Sequence, residues 1–193
     1  MPEPHVIVFL KAPRLGTVKT RLAATLGEEA ALDAYLKMTH TVLAVLSGWS
    51  RVNLCYTPDE AEQEIRNWMQ PSWHCMPQGV GDLGTRMHTA FTKAKGPAVI
   101  IGTDCPSIRI DDFREASKAL EEKDLVLGPA KDGGYWLIGL NAPCPALFEG
   151  INWSTESVLP DTLARAKTAG LSYYILRELR DVDTEADWKK WSG

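Results

Sequence analysis

No apolar run in this sequence approaches the length needed to span a bilayer. The five apolar residues Val6–Leu10 follow no basic segment, so the N-terminus reads as a strand rather than a secretion signal. Cysteine is sparse. Cys55, Cys75, Cys105 and Cys144 form no C-x-x-C pair, which argues against a disulfide-built scaffold and for reduced thiols in the cytoplasm. His5, His40, His74 and His88 share no ligand spacing with those cysteines, so zinc is not expected. Positive charge is also short: 21 Lys and Arg against 25 Asp and Glu give a net charge of -4, which speaks against nucleic acid as a partner. Repeats, low-complexity tracts and linkers are missing, so a single domain over residues 1–193 is expected.

What is present is alternation. Short runs rich in β-branched residues predict strands at Val6–Leu10, Arg51–Thr57, Trp73–Gln78, Ala98–Asp104, Asp124–Ala130, Tyr135–Leu140 and Ser172–Leu176. Between them lie helical patterns: Val18–Ser47 with a break at Gly27, Asp59–Met69, "GDLGTRMHTAFTKA" as a glycine-bounded loop running into a helix, Asp111–Glu121, and Thr155–Ala169 behind Ser154 as its N-cap. A last helix starts at Thr184, where Thr184 and Asp187 match a capping box. Continuous apolar strands alternating with helices predict a three-layer α/β/α architecture around a mostly parallel sheet. The sheet should be mixed, because "LVLGPAKDGGYWLIGL" places Asp-Gly between two apolar strands, a hairpin signal.

In an open α/β sheet ligands bind beyond the carboxyl ends of the strands. That rule gathers four loops. The first, "KAPRLGTVKTR", brings Lys11, Arg14, Lys19 and Arg21 together, although Glu3 is the sole acidic residue among the first 25. It is not a Walker A loop, since Val18 precedes Lys19 where that motif needs glycine. Gly16 permits close backbone approach and a helix follows, so phosphate binding is the expectation. The second loop ends the most apolar strand in Asp104, which either bonds the next turn or binds Mg²⁺. The third holds Asp132, a turn residue or else a metal ligand or general base. The fourth, "QGVGDLGTRM", is glycine-rich, as for a backbone lying against a flat ligand with Asp82 or Arg86 hydrogen-bonding it; Asp82 alternatively starts a helix. Near the C-terminus, Asp181 and Asp183 lie two apart and face one side if extended, a like-charge pair that a divalent cation would relieve.

Taken in order, "KAPRLGTVKTRL", "GDLGTRM", "IGTDCPSI", "LGPAKDGGYWLIGL", "NWSTESVL" and "RDVDTEAD" resemble a bacterial GT-A-type glycosyltransferase family, the radical-SAM/selenodomain-associated transferases. More distantly, the layout resembles the molybdenum-cofactor and phospholactate guanylyltransferases, which share the nucleotide-diphospho-sugar transferase fold. The resemblance implies that fold. It also implies that Lys11, Arg14, Lys19 and Arg21 line the nucleotide phosphates, with Asp104 and Asp183 as metal ligands and Gln78, Gly81 and Asp82 near the base or ribose. The expected activity is transfer from a nucleotide-sugar with Mg²⁺ or Mn²⁺, Lys19 and Asp132 being catalytic, to a small-molecule acceptor. Two alternatives are a nucleotidyltransferase joining a nucleoside triphosphate to a phosphorylated small molecule, and a non-catalytic nucleotide sensor.

Overall fold

The computed structural model describes residues 3–193. Strand β1 (His5–Lys11) leads through α1 (Thr20–Leu26) and α2 (Glu28–Val45) to β2 (Val52–Thr57). Gly27, with φ 86°, separates the two helices, a left-handed conformation that costs glycine little. Then come α3 (Glu62–Arg66), β3 (His74–Pro77), α4 (Leu83–Ala94), β4 (Ala98–Ile101) and α5 (Ile110–Ala119). The hairpin β5 (Leu125–Pro129) and β6 (Tyr135–Leu140) is followed by a 3-10 turn (Pro145–Leu147), α6 (Val158–Thr168), β7 (Tyr173–Ile175) and α7 (Glu185–Ser192).

One seven-stranded sheet results, in the order β3-β2-β1-β4-β6-β5-β7, and only β6 runs against its neighbours. Side-chain alternation along β1 shows how it is sandwiched. Val6, Val8 and Leu10 pack with Val42 and Leu46 at the α2 end and with Phe113 of α5, whereas Ile7 faces Met87 and Phe91 of α4 and Ala166 of α6. On α4 the buried residues Gly84, Met87, Phe91 and Ala94 recur at helical spacing, so one stripe closes on the sheet. No helix among the described residues is long and apolar enough to cross a membrane.

Two local expectations fail for identifiable reasons. Ser154 does not cap a helix. It sits at φ 64°, α6 starts only at Val158, and Ser157 precedes it. Residues 152–157 instead bend against the β5–β6 turn, where a Cβ on Gly133 (φ 90°) would land on the Glu156 backbone and the Leu159 N–H bonds the Gly133 carbonyl. Helix α3 is shorter than Asp59–Met69 because Trp68 and Met69 reach back three residues rather than four, closing turns. The hairpin turn follows the sequence expectation: Ala130 N–H bonds the Gly134 carbonyl, and the Asp132 carboxylate accepts the Gly134 N–H at 2.9 Å. Beyond β7 the chain runs extended across the strand ends. Leu179 N–H bonds Pro129 O, and Val182 N–H bonds Asp104 O at 2.9 Å.

Candidate active site

Chain order reverses between β1 and β4, since β2 and β3 lie on one side of β1 and β4 on the other. A crevice is expected beyond the strand ends at such a switch point. A cleft of about 640 Å³ opens there. It gathers Lys11, Lys19, Arg21, Gln78, Asp104, Asp132, Asp181 and Asp183 of the sequence-predicted residues. Arg14, Gly16, Gly81 and Asp82 lie outside its lining.

The acidic corner is built around Lys19. This residue takes a left-handed conformation (φ 47°) just before α1, which turns its side chain inward until only 4% of it is exposed. Its ammonium reaches Asp104 Oδ1 at 2.5 Å, Asp183 Oδ1 at 2.8 Å and the Val182 carbonyl at 2.7 Å. An ammonium has three hydrogens, so these acceptors use all of them. Burial opposes the charge, but Asp104 and Asp183 together outweigh it and hold the Lys19 pKa above its ordinary value. Lys19 was expected to grip phosphate. In this structure it is the internal counter-charge of two carboxylates.

Asp181 lies beside that pair. Burial, and then the charges of Asp132, Asp104 and Asp183, push its carboxyl up to about 6, against a hydrogen bond that lowers it. That bond comes from the Cys105 thiol, which donates to Asp181 Oδ1 at 2.8 Å and whose own pKa is raised by burial and by the neighbouring carboxylate. Four carboxylates thus share one corner of the cleft, with Lys19 buried between two of them. Lys11 and Arg21 also line the cleft, and Arg21 is 76% exposed and 3.9 Å from Asp183 Oδ2.

The remaining predicted residues have other partners. Arg14 turns away to Glu60 and Glu64, with contacts as short as 2.7 Å. Asp82 caps α4, accepting the Thr85 N–H at 2.8 Å and the Thr85 hydroxyl at 2.7 Å, and these bonds hold its pKa low. Gln78 is buried. Its amide donates to the Leu10 and Cys55 carbonyls, and its oxygen accepts from Arg86 Nη1 at 2.8 Å. Sequence reasoning passed over Tyr35 and Trp153, which also line the cleft. The Tyr35 hydroxyl donates to the carbonyl of Lys11 and accepts its N–H, both at 2.8 Å, fixing the end of β1. A tyrosine in mid-helix carries no local sequence signal for that role.

Among the described residues, no three His, Cys, Asp or Glu side chains form a ready-made metal cage. Mg²⁺, however, commonly takes one or two carboxylates and completes its shell with substrate phosphates and water. Asp104, 53% exposed, and Asp183, 34% exposed, each give only Oδ1 to Lys19. Both carboxylates line a cleft that also holds the exposed cation Arg21, 3.9 Å from Asp183 Oδ2. This donor set fits a hard cation bound together with phosphate.

Comparison with known proteins places the family and the fold. Residues 41–155 match a family described as "Uncharacterized protein conserved in bacteria (DUF2064)". No curated protein matches the sequence. A candidate nucleotide-diphospho-sugar transferase from Desulfovibrio desulfuricans G20 is 32% identical, with TM-score 0.88 over 95% of this chain and 84% of its own. Two others share the fold: the inositol-1-phosphate CTP transferase from T. maritima (11% identity, TM-score 0.64, 98% and 96% coverage) and a CMP:2-keto-3-deoxy-manno-octonic acid synthetase complexed with CTP (10%, 0.59, 98% and 96%).

Proposed function

The chain belongs to the DUF2064 family, and from that premise we propose that it is a divalent-metal-dependent transferase using a nucleotide-sugar donor, of the radical-SAM/selenodomain-associated type and working in the cytoplasm. One observation carries the reading: the Lys19-bridged carboxylates Asp104 and Asp183 share a cleft with Lys11 and Arg21. Carboxylates beside the cation Arg21, which is 76% exposed and only 3.9 Å from Asp183 Oδ2, suit a ligand that brings both a metal and phosphates. The likeness to the D. desulfuricans protein, described as a nucleotide-diphospho-sugar transferase, favours a sugar as the transferred group.

Held by Asp104 and Asp183, Mg²⁺ or Mn²⁺ would supply charge neutralisation to the diphosphate that departs. The chain's own residues do the rest. Lys11 and Arg21 take phosphate oxygens, and Lys19 keeps the two metal-facing carboxylates together. Asp132, fixed at its turn by the Gly134 N–H, accepts the proton of the acceptor hydroxyl. The hydroxyl oxygen then bonds the anomeric carbon as the bond from that carbon to the diphosphate oxygen breaks, and the nucleoside diphosphate leaves with the electron pair. A second reading, nucleotidyl transfer, is favoured by the two fold relatives that handle CTP over nearly this chain's whole length. There the α-phosphorus is attacked, pyrophosphate leaves, and Asp132 has no proton to take.

The deciding experiment is a thermal-shift panel of nucleotide-sugars and nucleoside triphosphates, with and without Mg²⁺ or Mn²⁺. A donor at a hundredfold excess over its Kd adds about 2.7 kcal/mol of stability, which a melting curve resolves easily. Asp104→Ala is expected to stay folded and to lose the metal-dependent part, with turnover down by about 10²–10³-fold. Stabilisation by a triphosphate with pyrophosphate release would turn the reading to nucleotidyl transfer. Binding without turnover of any kind would leave a sensor. Silence across the panel with metal present would remove the nucleotide reading.

A further inference from the structure

The wall facing the acidic corner contains an arrangement that the donor chemistry does not use. Gln78, 6% exposed, spends its whole amide inside the protein: Nε2 on the carbonyls of Leu10 and Cys55, Oε1 on Arg86. A buried amide costs free energy unless every donor and acceptor is satisfied, and here satisfaction requires the arginine. Arg86 is held a second time, its Nε donating to the Asp82 carbonyl at 3.3 Å. It forms no ion pair with a carboxylate among the described residues, and Nη2 and one hydrogen of Nη1 find no acceptor there. The side chain nevertheless lines the cleft. Leu83 and Met87, at three residues before and one after it, line the same space, as does Trp153, whose ring packs against Gly84 of α4.

A guanidinium fixed from behind, with its outer donors unmet inside a cleft, is prepared for an acidic group. We propose that Arg86 anchors an anionic group, phosphate or carboxylate, of the acceptor, and that Gln78 is the positioning residue that aims it. The ligand class is a small acid with an apolar or planar body: the charge meets Arg86, and the body lies against Leu83, Met87 and Trp153. This rests on the transferase reading in treating the occupant of the α4 wall as the acceptor, since the cation Arg21 stands with the acidic corner, 3.9 Å from Asp183 Oδ2. Gln78, first placed near the base or ribose, then acts through Arg86 and has no free group of its own to offer a base.

The test uses the full chain and three probes of matched body: phenyl phosphate, benzoate and the uncharged benzyl alcohol. Binding is followed by calorimetry and by the Arg86 Nε–H resonance in ¹⁵N-labelled protein. Wild type is expected to prefer at least one acid over benzyl alcohol by about tenfold or more, with the Arg86 resonance shifting; the better acid distinguishes phosphate from carboxylate. Arg86→Gln should remove that preference. Arg86→Lys, which keeps charge but not the fork, should restore only part of it. Gln78→Leu should broaden the Arg86 resonance and weaken acid binding while leaving benzyl alcohol unchanged. Nucleotide-induced thermal stabilisation, measured alongside with Mg²⁺, should persist in Arg86→Gln. Equal acid binding by wild type and Arg86→Gln would overturn the proposal, as would an absence of acid preference in wild type. Loss of nucleotide binding in Arg86→Gln with acid binding intact would overturn it too, giving Arg86 to the donor instead. If no nucleotide stabilises wild type, the donor reading fails by itself and the acid probes still decide Arg86.

Discussion

In the acidic corner all three hydrogens of the Lys19 ammonium are taken by Asp104, Asp183 and the Val182 carbonyl, and the ammonium is nearly inaccessible. Across the cleft, Arg86 is just as firmly placed but keeps its outer donors without a protein acceptor. Both cations are fixed by polar partners within the protein, yet one is consumed by the fold and the other is offered to solvent. The sign of a side chain therefore does not say whether it binds substrate; the count of its unmet donors does. Arg14 makes the same point, because its guanidinium is spent on Glu60 and Glu64 although it sits in the most cationic stretch of the chain.

Removing the consumed cation should have the largest effect. Lys19→Met leaves Asp104 and Asp183 facing each other without a counter-charge. Because both are partly exposed, water can relieve them, and the expected loss is about 2 kcal/mol rather than the larger cost of a fully buried break. Mn²⁺ should recover more stability in this variant than in wild type, by replacing the missing charge. A melting curve with and without Mn²⁺ measures both effects, and an unchanged wild-type midpoint would show that Lys19 is not the organiser.

A smaller effect concerns Asp181, whose carboxyl stands at about 6 against an ordinary 3.8. Between those values the folded chain keeps a proton that the unfolded chain has already released. Stability in metal-free buffer should therefore fall as pH rises through that window, and gain nothing further below it, where both states are protonated. Asp181→Asn, which cannot ionise and still offers an oxygen to Cys105, should flatten the profile. Urea midpoints from about pH 4 to about pH 7 would show the slope or its absence.

The smallest effect is on the arginine wall. Asp82→Ala deletes the α4 cap and is expected to cost about 1 kcal/mol, most of it recovered by Asp82→Ser. A fall in nucleotide affinity with an unchanged midpoint would instead return Asp82 to the ligand, where the sequence had placed it.

The contrast between the walls also marks how far the sequence could be read. The β5–β6 hairpin is legible from Asp132-Gly133, the break at Gly27 from glycine alone, and the Thr184–Asp187 box from spacing, because local chemistry decides each of them. The convergence of basic and acidic loops follows from strand order. The partners do not. Lys19 meets Asp183, 164 residues away, and Arg14 meets Glu64, 50 away, and no local pattern ranks those pairings above a phosphate. Ser154 misleads for the same reason: it has the chemistry of a cap, but the Gly133 turn presses on the backbone beside it.

Val182 N–H bonds Asp104 O, and that stitch draws Asp181 and Asp183 onto the end of β4 from a segment that follows every strand of the sheet. On the ribosome, β1 to β6 are all made before those two aspartates exist. A nascent chain can assemble most of its sheet while Lys19 still lacks Asp183 and Val182. The corner is thus closed by residues synthesised after every strand of the sheet.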